Sequence, residues 1–213
     1  MSHDPVLPIQ LTTEDGQHLE GELLSPADAA VGVVITHPHP TYGGSMHTPV
    51  PAALFRRCQA LGVAGLRFNF RGVGASTGVH DEGRAEQLDV VAALDEVADR
   101  VAGPVVVAGW SFGADVALAV DHDRLAAWMS VAAPLSVIDP TTMAAAHSPK
   151  PKLLVVPAHD QFRQPDAAKA VTSEWPNTEV DVVPGADHYL AGGLETVADA
   201  LERLLGRLDT ASP

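Results

Sequence analysis

The chain has 213 residues, 46% of them hydrophobic and 19% charged, which excludes wholesale disorder and fits one compact domain spanning residues 1–213. Its 13 Lys and Arg stand against 27 Asp and Glu, a formal net charge of −14. Such a chain repels phosphate backbones and anionic bilayers, so neither nucleic acid nor a membrane is expected as a partner.

In chain order, apolar alternation predicts strands at 9–13 and 19–24, joined by the turn signal Glu14-Asp15-Gly16 into an antiparallel hairpin. From Gly32 onward, strands at 32–36, 63–70, 105–108, 127–131, 153–156 and 179–183 alternate with helical patterns at 51–61, 84–101, 112–120, 166–174 and 194–208. Nearly continuous apolar strands separated by helices predict a mostly parallel sheet covered on both faces. The last helix carries Leu194, Val197, Leu201, Leu204, Leu205 and Leu208 on one side, the pattern of a helix docked on its own sheet. No apolar run approaches the ~20 residues that span a bilayer. The opening MSHDPVLPIQ has no basic or apolar leader region, and Cys58 is the single cysteine. Together these predict a reducing, cytoplasmic setting.

Gly-x-Ser-x-Gly occurs twice, at Gly74-Ala75-Ser76-Thr77-Gly78 and at Gly109-Trp110-Ser111-Phe112-Gly113. An exposed nucleophilic serine needs a buried strand running straight into a helix, with glycines on both sides to allow close packing. Ser111 follows Val105-Val106-Val107-Ala108 and precedes an apolar helix, whereas Ser76 lies between glycine-rich loops. Ser111 is therefore the candidate nucleophile, and Ser76 reads as a turn serine. The plain alternative for Ser111 is a tight strand-to-helix turn whose hydroxyl caps the helix.

A serine attacks well only when an imidazole takes its proton and a carboxylate orients that imidazole. On a sheet of this kind the carboxylate and then the histidine follow the serine in loops after strands. Asp160, after Leu153-Leu154-Val155-Val156, and His188, after Val180-Asp181-Val182-Val183, stand in that order. Asp139, after the strand at 127–131, is the competing carboxylate. His147, His159 and Asp187 read as loop residues, and Asp166 as a first-turn carboxylate.

Attack on a carbonyl also requires two donors for the oxyanion. The backbone N–H of Phe112 is one candidate. The other lies in His37-Pro38-His39-Pro40-Thr41-Tyr42-Gly43-Gly44, where the prolines lack an N–H and His39 is the expected donor. Tyr42, Trp110, Phe162 and Tyr189 are candidates to line the substrate pocket. No metal is expected: His37-x-His39 has no third or fourth ligand at zinc-site spacing. Gly72-Val73-Gly74 lacks the remaining signals of a phosphate loop and reads as a turn.

These residues together resemble the α/β-hydrolase superfamily, and more narrowly its small lid-less bacterial serine hydrolases related to the dienelactone-hydrolase-like group. The resemblance runs from His37-Pro38-His39-Pro40 and Gly43-Gly44, through Arg67-Phe68-Asn69-Phe70-Arg71-Gly72-Val73-Gly74-Ala75-Ser76, to Gly109–Gly113 and Asp187-His188. It implies a single-domain α/β-hydrolase fold with a sheet of about eight strands and acyl hydrolysis through Ser111, Asp160 and His188, with no cofactor. Two departures stand out. Dienelactone hydrolases use a cysteine where this chain has Ser111, and Pro157 replaces the glycine usual three residues before the acid. Only residues 132–151 are available where larger relatives insert a lid, enough for one short helix at 141–146. The expected partner is thus a small acyl substrate, a carboxyl ester or thioester. An amidase or peptidase with the same residues, or a non-catalytic binding module, are the alternatives. Anionic substrates are disfavoured unless Arg71 or Arg163 faces the cleft. Monomer and homodimer are both compatible with the sequence.

Overall fold

In the computed structural model, which describes residues 5–209, strands β1 (Val6–Thr12) and β2 (His18–Leu24) form the expected antiparallel hairpin. There follow β3 (Gly32–Thr36), α1 (Pro49–Leu61), β4 (Ala64–Phe68), α2 (Glu86–Ala98), β5 (Val105–Trp110) and α3 (Phe112–Ala119). Then come β6 (Leu125–Val131), α4 (Ala144–His147), β7 (Lys152–Pro157), α5 (Pro165–Val171), β8 (Thr178–Val183) and α6 (Leu194–Asp209). The eight strands make one sheet in the order β1-β2-β4-β3-β5-β6-β7-β8. β2 pairs antiparallel with both β1 and β4, and every other pairing is parallel.

Alternation along the strands splits the apolar core into two layers. Val105 and Val107 of β5 face α2 and α3 with Val90, Leu94, Val97, Val116 and Leu118. Val106, Ala108 and Trp110 face α1 and α6 with Leu54, Phe55, Cys58, Leu201 and Leu204. Each such buried Val, Leu or Phe side chain contributes about 1.5–3 kcal/mol. Arg57 of α1 lies 2.5–3.2 Å from Glu195, Asp199 and Glu202 and fastens α1 to α6. Burial pushes the Cys58 thiol up to about 12, so this cysteine is chemically inert.

Several boundaries differ from the sequence reading. β4 ends at Phe68: Asn69 N–H still donates to the Glu20 carbonyl of β2, but Phe70 N–H leaves the sheet and donates to the His37 ring. α2 is shorter at both ends. Asp81 caps its start through Ala85 N–H, and Arg124 gathers the carbonyls of Val101, Ala102 and Gly103 beyond its end. α5 ends at Val171, and the helix expected at 141–146 is the four-residue α4. Nothing larger than α4 lies between β6 and β7, so no lid domain is inserted there. Among the described residues no helix is long and apolar enough to cross a membrane.

The register aligns the carboxyl ends of the parallel strands along one rim. Thr36 pairs with Gly109, Trp110 with Val131, and Pro157 with Val183. Ligands of open α/β sheets bind beyond this edge.

Candidate active site

At the rim, Ser111 sits between the last residue of β5 and the first of α3 with φ 55° and ψ −121°. A non-glycine residue held there stores about 1–3 kcal/mol of strain. The surrounding backbone fixes it: Ser111 N–H donates to the Val131 carbonyl at 2.9 Å, and the Ser111 carbonyl accepts from Ala114 N–H at 2.9 Å. The flanking glycines are required by space. A Cβ at Gly109 would lie 2.5 Å from Thr36 Oγ1 and 2.6 Å from the Gly113 carbonyl, and one at Gly113 would meet the His37 carbonyl. Thr36 closes the junction by donating its hydroxyl to the Gly113 carbonyl at 2.9 Å.

Three loops bring their side chains to this serine. His188 Nε2 lies 2.9 Å from Ser111 Oγ, and His188 Nδ1 lies 2.9 Å from Asp160 Oδ2. Asp160 is completely buried, and its other oxygen accepts the N–H groups of Phe162 at 2.7 Å and Arg163 at 3.1 Å. A carboxylate can only accept, so the imidazole carries its proton on Nδ1 and turns the Nε2 lone pair toward the hydroxyl. This arrangement can draw the proton from Ser111 and stabilise the imidazolium that results. Pro157 does not disturb it, since its carbonyl accepts Asp160 N–H within the turn.

The histidine loop is braced by Trp110, which is 5% exposed and donates its indole N–H to the His188 carbonyl at 3.3 Å. Strand alternation turns the Trp110 ring into the α1/α6 layer, with its centre 6.3 Å from the His188 ring, so it packs behind the histidine rather than standing exposed beside it. The other three aromatic candidates are exposed at the rim. Phe162 and Tyr189 have ring centres 4.5 and 5.8 Å from His188, and Tyr42 packs 4.7 Å from His39.

On the opposite side of the serine, the rings of His39 and Phe112 are 5.0 Å apart. Phe112 N–H opens α3 and has no acceptor within the helix. Thr41 N–H is taken by His39 Nδ1 at 3.3 Å, which leaves the His39 amide as the donor the loop has to spare. His37 is buried with both ring nitrogens engaged: Nε2 accepts Phe70 N–H at 3.0 Å, and Nδ1 donates to the Pro38 carbonyl at 2.6 Å. Burial lowers His37 to about 4, so it is a neutral strut. Among the described residues no three His, Cys, Asp or Glu side chains gather as a metal site.

The competing residues lie elsewhere. Asp139 Oδ1 accepts the N–H and hydroxyl of Thr141, and its carbonyl accepts the Thr142 hydroxyl. Ser76 donates to the Asn69 carbonyl and accepts Glu20 N–H. His147 contacts the Thr141 carbonyl, and Asp187 accepts Tyr189 N–H. Neither arginine presents a free guanidinium to the cleft. Arg71 is buried against Asp89 and Asp15, and Arg163 donates to the carbonyls of Pro134 and Leu135.

Two features were not legible in the sequence. Asp115, buried within α3, accepts the N–H groups of Leu135, Ser136 and Val137, each at 2.9 Å. Burial pushes it up to about 6. His80 donates Nδ1–H to the buried carboxylate of Glu86 at 2.6 Å, with its ring 5.2 Å from Phe112. A lone acid in an apolar helix, and a histidine six residues before an acid, carry no pattern that separates them from surface residues.

No family model matches the chain. A curated relative, the uncharacterized protein RP471 of Rickettsia prowazekii, is 28% identical over 183 residues, covering 81% of this chain and 77% of that one. The solved lid-less α/β serine hydrolase XC6422 of Xanthomonas campestris is 27% identical with a TM-score of 0.82, over the full length of both chains. An α/β serine hydrolase homologue from Coxiella burnetii is 30% identical with a TM-score of 0.81, over 96% of this chain and 99% of that one. With this fold, this rim and these relatives, the chain belongs to the α/β serine hydrolase superfamily, among its small members without a lid.

Proposed function

We propose that the protein is a serine-dependent hydrolase of small carboxyl esters or thioesters. The observation that carries this reading is the His188 imidazole, which is 2.9 Å from Ser111 Oγ on one side and 2.9 Å from the buried Asp160 carboxylate on the other. His188 takes the hydroxyl proton as Ser111 attacks the carbonyl, and Asp160 holds the imidazole in its working tautomer. The N–H groups of Phe112 and His39 receive the oxyanion, a contribution on the order of 10²–10³ in rate for each donor. His188 then protonates the leaving alcohol or thiol, and water cleaves the acyl-enzyme by the same route in reverse.

The net charge of −14 and the engagement of Arg71 and Arg163 within the protein favour uncharged substrates. The buried lone Cys58 suits a reducing compartment such as the cytoplasm. A fluorophosphonate probe tests the assignment: wild type is expected to label on Ser111, and Ser111→Ala not at all. Absence of labelling in wild type, or equal labelling of the variant, overturns it.

A further inference from the structure

Beside the proposed oxyanion donors stands a second imidazole–carboxylate pair that the Ser111–His188–Asp160 array does not use. Glu86 is fully buried and accepts three donors: Asp81 N–H at 2.8 Å, Gly83 N–H at 2.9 Å and His80 Nδ1–H at 2.6 Å. The carboxylate therefore fixes both the orientation and the tautomer of His80, leaving Nε2 with a lone pair. The His80 ring lies 4.9 Å from His39 and 5.2 Å from Phe112. His39 has the opposite tautomer. Its Nδ1 accepts Thr41 N–H, so its Nε2 carries the proton, and burial together with the nearby His80 holds it below the usual histidine range. Neither Nε2 has a partner among the described residues.

The two rings thus stand 4.9 Å apart centre to centre, one with a donor Nε2 and the other with an acceptor Nε2. The group that satisfies both is a hydroxyl, which accepts from one nitrogen and donates to the other. Resting on the ester-hydrolase reading, we propose that His80 and His39 form a subsite for a substrate hydroxyl close to the scissile carbonyl. The substrates are then hydroxy-acid esters or partial esters of polyols, and His80 sets the preference for them.

The test compares kcat/KM for methyl 3-hydroxybutyrate against methyl butyrate, and for glycerol 1-monobutyrate against propyl butyrate. Wild type is expected to favour the hydroxylated member of one pair by about tenfold or more, and the pair concerned shows whether the hydroxyl belongs to the acyl or the alcohol part. His80→Phe, which cannot accept, should bring that ratio toward one. His80→Gln, whose amide oxygen still accepts, should keep most of it. A wild-type ratio near one in both pairs, or a ratio that His80→Phe leaves unchanged, overturns the subsite. Fluorophosphonate labelling of the same samples separates the two readings. Labelling of Ser111 without any hydroxyl preference defeats the subsite alone, and absence of labelling defeats the hydrolase reading.

Discussion

His188 and Asp160 meet at 2.9 Å where solvent does not reach, and the two backbone amides on the far oxygen of Asp160 prevent the carboxyl from turning away. Asp160→Asn keeps this shape but offers Nδ1–H an amide in place of a carboxylate, which favours the wrong tautomer. The expected loss in kcat is on the order of 10³–10⁴. Asp139→Asn, at an exposed cap remote from the imidazole, is expected to leave kcat within about twofold. Initial rates on a p-nitrophenyl ester check both.

Two glycines should respond in opposite directions to the same substitution. A methyl group at Gly113 meets the backbone of His37 and Thr36, so Gly113→Ala is expected to cost about 1–3 kcal/mol and to slow labelling of Ser111. Gly206 lies inside α6 with open space around it, and Gly206→Ala should stabilise by about 0.5–1 kcal/mol. Urea denaturation midpoints read out both changes.

Legible in the sequence are the junctions where a chemically distinctive residue follows a strand closely: Ser111 directly after β5, Asp160 three residues past β7 and His188 five past β8. Less legible are partnerships between residues that each look like surface. Arg71 lies in a glycine-rich loop and Asp89 in a helical pattern, and only the packing of α2 against the sheet joins them in the interior. Trp110 looks like a pocket aromatic from its place beside Ser111, but its direction follows from strand parity, which turns on β5 reaching Trp110 rather than stopping at Ala108.

That Arg71–Asp89 pair carries its own prediction. The guanidinium donates twice to Asp89 Oδ1, at 2.9 and 2.7 Å, while Arg71 N–H takes Oδ2 at 2.9 Å. Asp89→Ala leaves a buried cation with its principal partner gone and should cost about 3–5 kcal/mol. Asp15, the more exposed second partner, should cost less than about 1 kcal/mol when replaced by Ala. Guanidinium-chloride unfolding of the two variants distinguishes these magnitudes.

Acid stability should reveal two buried groups with opposite signs. His37 is held near 4 against an ordinary 6.5, so the unfolded chain binds its proton first. Stability from this ring is complete above pH 6.5 and falls by about 3 kcal/mol as pH drops to 4. Asp115 is held near 6 against 3.8, so the folded chain binds its proton first, and its contribution is lost as pH rises from about 4 to 6. Relative to wild type, His37→Gln should lose less stability on acidification from pH 6.5 to 4, and Asp115→Asn should lose more. Denaturant midpoints at half-unit pH steps provide the measurement.

The three amides that Asp115 receives make α3 a mechanical link between two shores of the cleft. The strained serine immediately precedes its first residue, while its fourth residue grips the segment whose carbonyls, at Pro134 and Leu135, anchor the Arg163 guanidinium; the Arg163 amide in turn supports Asp160. A disturbance of that short helix therefore arrives at the proton donor and at the distant acid together, and neither shore can drift without pulling the other.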